Sequence, residues 1–227
     1  MTFWDHLDEL RSVIIRCLII TLLLMFVAFV FKDEVFAIVL YPKGDSLQLI
    51  NTAVTGQFVT HMMVSFYVAL IGAMPYILHQ LFRFISPGLY PQEKRLTLRL
   101  MLSGYLMFML GVLFSYFVIF PFTVTFLGNY QVATEVTNLI SLESYIDTLL
   151  VLSLLLGILF ELPVVSWLLS RFGLLTASSM RKFRRHALLA IVIASAVITP
   201  TSDAFTLLLV SVPVYLLYEL SILVVRK

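Results

Sequence analysis

Ala187-Leu188-Leu189-Ala190-Ile191-Val192-Ile193-Ala194-Ser195-Ala196-Val197-Ile198, followed at once by Thr199-Pro200-Thr201-Ser202-Asp203, is the stretch on which the fold turns. It is almost wholly apolar, yet a bilayer core of about 30 Å asks for roughly 20 such residues and this stretch falls well short. It either crosses a locally thinned bilayer or turns back inside it. Its neighbours leave no such choice. Val13 to Phe31, Phe58 to Leu78, Leu98 to Phe120, Ile146 to Leu169 and Phe205 to Val225 each come close to the length and apolarity of a membrane span. The count is five crossings or six.

The basic residues favour six. With Ala187 to Ile198 crossing, the N-terminal end, the second and fourth loops and the C-terminal tail hold all the Lys and Arg except Lys32 and Lys43. By the positive-inside rule that side is cytoplasmic, and both termini lie on it. The acids divide the other way: Asp33, Glu34, Asp45, Glu135, Glu143, Asp147 and Asp203 outside, and only Asp5, Asp8, Glu9 and Glu93 inside. The expectation is an all-α integral membrane protein, one domain over residues 1–227, with six transmembrane helices and an N-in, C-in topology.

Composition agrees. Of 227 residues, 61% are hydrophobic and 12% charged, against roughly 45–50% and about 25% in soluble domains. A mean hydropathy of +1.03 excludes a soluble globule and a disordered chain alike. The single cysteine, Cys17, cannot form an intramolecular disulfide, and no Cys/His cluster has metal-ligand spacing. The first dozen residues are acidic and amphipathic, without the basic n-region of a secretory signal, so the N-terminus is expected to be retained. The two long outer segments, Lys32 to Gln57 and Pro121 to Tyr145, combine turn formers with apolar residues and predict short ordered caps.

Several polar residues need a reason. Glu161, in Leu159-Phe160-Glu161-Leu162-Pro163, is an acid inside a span, which costs at least a few kcal/mol on insertion scales and marks a functional-site candidate. Pro163 frees a carbonyl one turn earlier, so a kink and water access are expected there. The plainer alternative is a protonated Glu hydrogen-bonded to a neighbouring helix. Glu219 lies near the cytoplasmic end of the last span, within reach of headgroups or a basic loop. Arg16 snorkels from the mouth of the first span. For His61 and His79 packing is favoured over ligation.

Glu9 and Glu93 are acids on the side that collects cations. Each suits a helix start, with Pro91 at a first helical position before Glu93. If they approach each other they instead make a carboxylate pair matched to the guanidinium fork, and would bind a basic peptide. The run Arg181, Lys182, Arg184, Arg185 reads as a topology determinant and anionic-lipid anchor, not as a nucleic-acid site. Neither GxxxxGK[ST], HExxH nor GxSxG is present, so no enzymatic activity and no cofactor is expected, and transport energy must come from a partner or an ion gradient.

Taken in order, these segments resemble the TatC family, the multispanning receptor subunit of the twin-arginine protein translocase. His6-Leu7-Asp8-Glu9-Leu10-Arg11 matches the family's N-terminal H-L-x-E-L-R. Phe84-Ile85-Ser86-Pro87-Gly88-Leu89-Tyr90-Pro91-Gln92-Glu93-Lys94-Arg95 resembles its first cytoplasmic-loop signature, and Tyr116-Phe117-Val118-Ile119-Phe120-Pro121 the end of its third span. Phe160-Glu161-Leu162-Pro163, Met180-Arg181-Lys182, and Thr199-Pro200 with Asp203 follow in register. After the first motif many members continue with more basic residues, whereas here Ser12-Val13-Ile14-Ile15 intervenes before Arg16.

The resemblance implies a bacterial inner-membrane protein whose six helices form a concave, glove-like bundle with the last two helices short. It implies recognition of twin-arginine signal peptides of folded cargo, assembly with the single-span TatA and TatB subunits and with further copies of itself, and transport driven by the protonmotive force. By position, Glu9 and Glu93 resemble the carboxylates that receive the signal arginines, with Arg11, Lys94 and Arg95 shaping that patch. Glu161 resembles the family's buried acid, and Pro42, Pro87, Pro163 and Asp203 its structural turns. The rival from another class is a proton-coupled transporter of a small solute with Glu161 as carrier. A membrane-embedded enzyme lacks any nucleophile, base or metal motif.

Overall fold

The computed structural model describes residues 3–43, 48–85, 94–130, 138–199 and 203–225. These residues are overwhelmingly helical and gather into two compact units, Met1–Tyr41 with Ala53–Leu106, and Pro42–Thr52 with Met107–Lys227.

In the first unit α1 (Phe3–Val30) packs along α3 (Gly56–Ile85). No Gly or Pro interrupts residues 3–30, so α1 starts ten residues before the predicted Val13. One stripe of α1, Leu18, Leu22 and Phe26, is exposed at 55%, 59% and 69%, an apolar face suited to lipid and not to water. At 30 residues, α3 is about 45 Å long and carries Pro75 inside it. The short helix α2 (Lys32–Leu40) folds back on both. His61 closes this corner, stacked on Phe29 at 4.1 Å and edge-on to Phe36 at 5.8 Å. His61 is thus packed; His79 is not, being exposed near the other end of α3. The first turns of α4 (Lys94–Phe114) complete the unit.

The second unit opens with the remainder of α4, which runs through a π-helical turn, Ser115–Ile119, into α5 (Phe120–Asn129). Leu98 to Asn129 is therefore one continuous span, nine residues longer than expected. Its close partner is α6 (Leu142–Leu159), whose Ser141 accepts the Ser144 N–H as an N-cap. A Cβ on Gly111 would lie 2.6 Å from the Leu156 carbonyl oxygen and 2.8 Å from Gly157 Cα, so the two glycines let the backbones touch, a device common in membrane bundles. Ser153 Oγ donates to Ser115 Oγ across the same pair at 3.4 Å. Of the expected caps, the described residues contain α2, a 3₁₀ turn at Tyr41–Lys43, and a parallel pair of β1 (Leu49–Ile50) with β2 (Ile140–Ser141) in register Leu49 to Ile140.

Beyond α6 come α7 (Leu162–Arg171), α8 (Ala177–Lys182), α9 (Arg184–Ile198) and α10 (Ala204–Val224). The turn after α7 uses Gly173 at φ 71°, a left-handed backbone that disfavours other residues. Among the described residues, five helical segments are long and apolar enough to cross a membrane: Leu7–Val30, Gly56–Phe84, Leu98–Asn129, Leu142–Arg171 and Ala204–Val224. The decisive stretch is not among them. With 15 residues, α9 is about 22 Å long. Of the two final helices expected to be short, α10 is not: its 21 residues span about 32 Å.

Candidate functional site

Two of the acids singled out by the sequence, Glu9 and Glu161, fall in different units and in opposite surroundings. Glu9, Ser12, Val13 and Arg16 recur at helical spacing and form one stripe of α1; Gln80, Arg83 and Phe84 do the same on α3. The packing of α1 on α3 brings these stripes together around a cavity of about 170 Å³. Glu9 is half-buried in its wall. Gln80 is 5% exposed, and its Nε2 donates to Tyr76 Oη at 2.6 Å, which ties it to its own helix.

Of the residues expected around Glu9, Arg11 is exposed and does not line the cavity, because two positions along a helix turn it by about 200°. Among the described residues, the basic ones that do line it are Arg16 and Arg83. Lys94 and Arg95 open α4. Glu93 and Pro87 lie outside the described residues. Gln80 and Arg83 were missed by the sequence reading, although an amide three residues before a guanidinium on one face of an apolar helix was the available signal.

Glu161 is the opposite case. It sits between α6 and α7, where a kink was expected and the structure ends one helix and starts another. Phe160 and Glu161 keep αR backbone angles but tighten, with the Glu161 N–H bonding the Ile158 carbonyl three residues back. Pro163, buried in the first turn of α7, has no N–H to offer the Leu159 carbonyl. Glu161 occupies the N-cap position of α7, where the helix dipole favours an anion, yet its side chain caps nothing. It is 7% exposed, and neither carboxylate oxygen has a hydrogen-bond partner among the described residues. The plainer alternative, a Glu161 hydrogen-bonded to a neighbouring helix, finds no such bond among them.

Asp203 and Glu219 have structural partners. Asp203 Oδ1 accepts the Thr206 N–H at 2.7 Å and caps α10. Glu219 pairs with Arg184 at 2.7 Å and accepts the Tyr215 hydroxyl. Nearby, Tyr218 donates its hydroxyl to the Met180 carbonyl, and Ala177, Met180, Ile222 and Val225 pack α8 against the end of α10. Arg184 is thus partly neutralised, while Arg181, Lys182 and Arg185 stay exposed. Pro42 lies in the 3₁₀ turn after α2. No group of three or more His, Cys, Asp or Glu among the described residues is placed to hold a metal ion.

Long apolar helices, a carboxylate in a cation-lined cavity and an unsatisfied acid within a span define a multi-pass membrane protein. A family model for the Sec-independent protein translocase protein (TatC) matches residues 5–213. The TatC protein of Deinococcus radiodurans is 36% identical over 98% of this chain and 85% of its own length, and that of Aquifex aeolicus 36% over 98% and 93%. A crystal structure described as the twin arginine translocase receptor TatC resembles the fold with a TM-score of 0.85 at 35% identity, covering 96% of this chain and 97% of that one. A second, obtained in DDM, gives 0.88 at 35% identity over 98% and 100%. The chain belongs to the TatC family. It is a component of a protein translocase and not an enzyme, and the comparisons give no support to a small-solute transporter.

Proposed function

We propose that this chain binds the twin-arginine signal peptides of folded proteins through Glu9 and Glu93, at a cytoplasmic face that Arg11, Lys94 and Arg95 help to shape. The observation that carries the reading is Glu9 in the wall of a polar cavity, on a chain that resembles a twin arginine translocase receptor along nearly its whole length. A carboxylate presented there suits the guanidinium fork, which binds carboxylates through two parallel hydrogen bonds. Lysine offers no such fork.

The same proposal includes a single six-span domain in the bacterial inner membrane, with α9 as a short fifth crossing and both termini cytoplasmic. The charge asymmetry of the loops supports it, since α9 must cross for the basic segments to share one side. A 22 Å helix can do so where the bilayer thins, at a cost of fractions of a kcal/mol per Å of mismatch. Further parts of the proposal are a concave bundle, assembly with TatA- and TatB-type subunits and with other copies of the chain, and energy from the protonmotive force. Glu161 serves as an intramembrane acid for partner assembly or transport, and Pro42, Pro87, Pro163 and Asp203 hold the turns.

Site-specific photocrosslinking in native membranes tests the binding site, with a probe beside Glu93 and a signal peptide carrying Arg-Arg or Lys-Lys. The expected crosslink needs Arg-Arg and falls by about tenfold or more in Glu9→Ala or Glu93→Ala, the scale of one charge-assisted hydrogen bond. An unchanged crosslink in both variants, with insertion verified, refutes the site.

A further inference from the structure

We infer that the cavity between the end of α5 and the start of α6 binds a primary ammonium group, that of an aminophospholipid headgroup. It measures about 460 Å³, within the roughly 300–1,000 Å³ of small-ligand sites, and Thr123, Asn138, Ser144, Tyr145 and Thr148 supply polar wall. Most of their donor hydrogens are already committed. Thr123 donates to the Ile119 carbonyl and Thr148 to the Ser144 carbonyl, while Asn138 Nδ2 donates to the carbonyls of both Gly128 and Tyr130. What these three side chains have left is acceptor oxygen. Tyr145 is 2% exposed, and its hydroxyl, which can accept as well as donate, has no partner among the described residues. A wall rich in free acceptors and poor in free donors calls for a donor ligand.

Charge makes that donor a cation. Between Arg99 and Arg171 the sequence has no Lys, Arg or His, so α5, β2 and α6 supply acids and no base. Glu143 is exposed and Asp147 half-buried, one turn apart on α6 beside the lining stripe of Ser144 and Thr148. Leu127 and Gly128 bring the last turn of α5, the negative end of its dipole, to the same wall. The N-terminal end of α6 opposes a cation, but Glu143 in its first turn offsets it.

Position selects a lipid over a soluble amine or a peptide lysine. The cavity joins the last turns of the membrane-crossing segment Leu98–Asn129 to the first turns of Leu142–Arg171, the level at which headgroups lie. Leu139 in its wall is 65% exposed, and Phe122 and Phe126 on α5 and Tyr130 just after it are exposed as well, an apolar and aromatic surface for acyl chains at the interface. A primary ammonium offers three N–H donors. The trimethylated headgroup of phosphatidylcholine has the same charge and offers none.

Native mass spectrometry of the full chain, released from nanodiscs holding equal phosphatidylethanolamine and phosphatidylcholine, tests the assignment. The wild type should retain phosphatidylethanolamine about tenfold over phosphatidylcholine, the scale of a hydrogen bond to a charged group. Tyr145→Phe keeps the ring that meets Phe120 edge-on at 4.9 Å, and should lose about threefold of that preference. Tyr145→Phe combined with Thr148→Val should abolish it. Equal retention of the two lipids by the wild type, or an unchanged preference in both variants, overturns the site. Displacement of the lipid by free ethanolamine makes it a soluble-amine site, and displacement by a lysine-rich peptide makes it a peptide site; either overturns the lipid assignment.

Discussion

Glu9 and Glu161 are the same side chain in two environments, and the contrast separates two ways an acid can be kept in a membrane protein. Glu9 stands on the early turns of α1, half-buried, beside two guanidinium groups and a hydroxyl, where water and ions can compensate its charge. Glu161 lies between two apolar helices with both oxygens shut off and unbonded among the described residues. An acid of the first kind is placed to bind, as proposed for Glu9; an acid of the second kind is a stored cost, which a partner or water could relieve.

That contrast can be broken most severely at the scaffold of the second acid. Gly111→Ala places a methyl against the Leu156 carbonyl and Gly157 Cα, so α4 and α6 must separate. A loss of about 2–3 kcal/mol is expected, read as a lower unfolding midpoint in detergent. Gly157→Ala meets the Phe108 ring instead of backbone and should cost less. If Gly111→Ala is neutral, the close crossing that supports Glu161 is not real.

A smaller effect, with opposite signs in two assays, is expected at Glu161 itself. Glu161→Leu removes an unsatisfied buried acid and should raise thermal stability by about 1 kcal/mol while impairing export of folded cargo. A drop in stability would mean that the carboxylate is paired in the membrane, and normal export would take it out of the mechanism. The smallest effect belongs to a third acid, whose role is structural. Asp203→Ala should cost about 0.5 kcal/mol through the lost cap on Thr206, and Asp203→Asn, which also caps, should restore most of it.

Much of this was legible in the residues. Uninterrupted apolar runs mark the long spans, Pro163 marks the break at Glu161, and the acids stand out against their surroundings. Helix ends were less legible, because apolarity defines the part in the membrane and not the helix: α1 runs from Phe3 through the charged stretch Asp5 to Arg11, which has no Gly or Pro to break it. The Glu9 cavity was half legible. The acid was named, but Arg11 was set beside it where the fold places Arg16 and Arg83, since sequence adjacency is not adjacency on a helix face.

What the amino-acid order determined alone is the solvent this protein lives in, because hydropathy adds residue by residue along the chain and needs no knowledge of contacts. It also determined the helical period that groups Glu9 with Arg16, and Gln80 with Arg83, on single stripes. Which stripes face each other was decided only by tertiary structure. That choice depends on where bare backbone lets two helices touch, as at Gly111 and Gly157, and on ties between distant residues, as from Tyr218 to Met180 and from Arg184 to Glu219. Such contacts join residues 35 to 46 positions apart, beyond the reach of any local pattern.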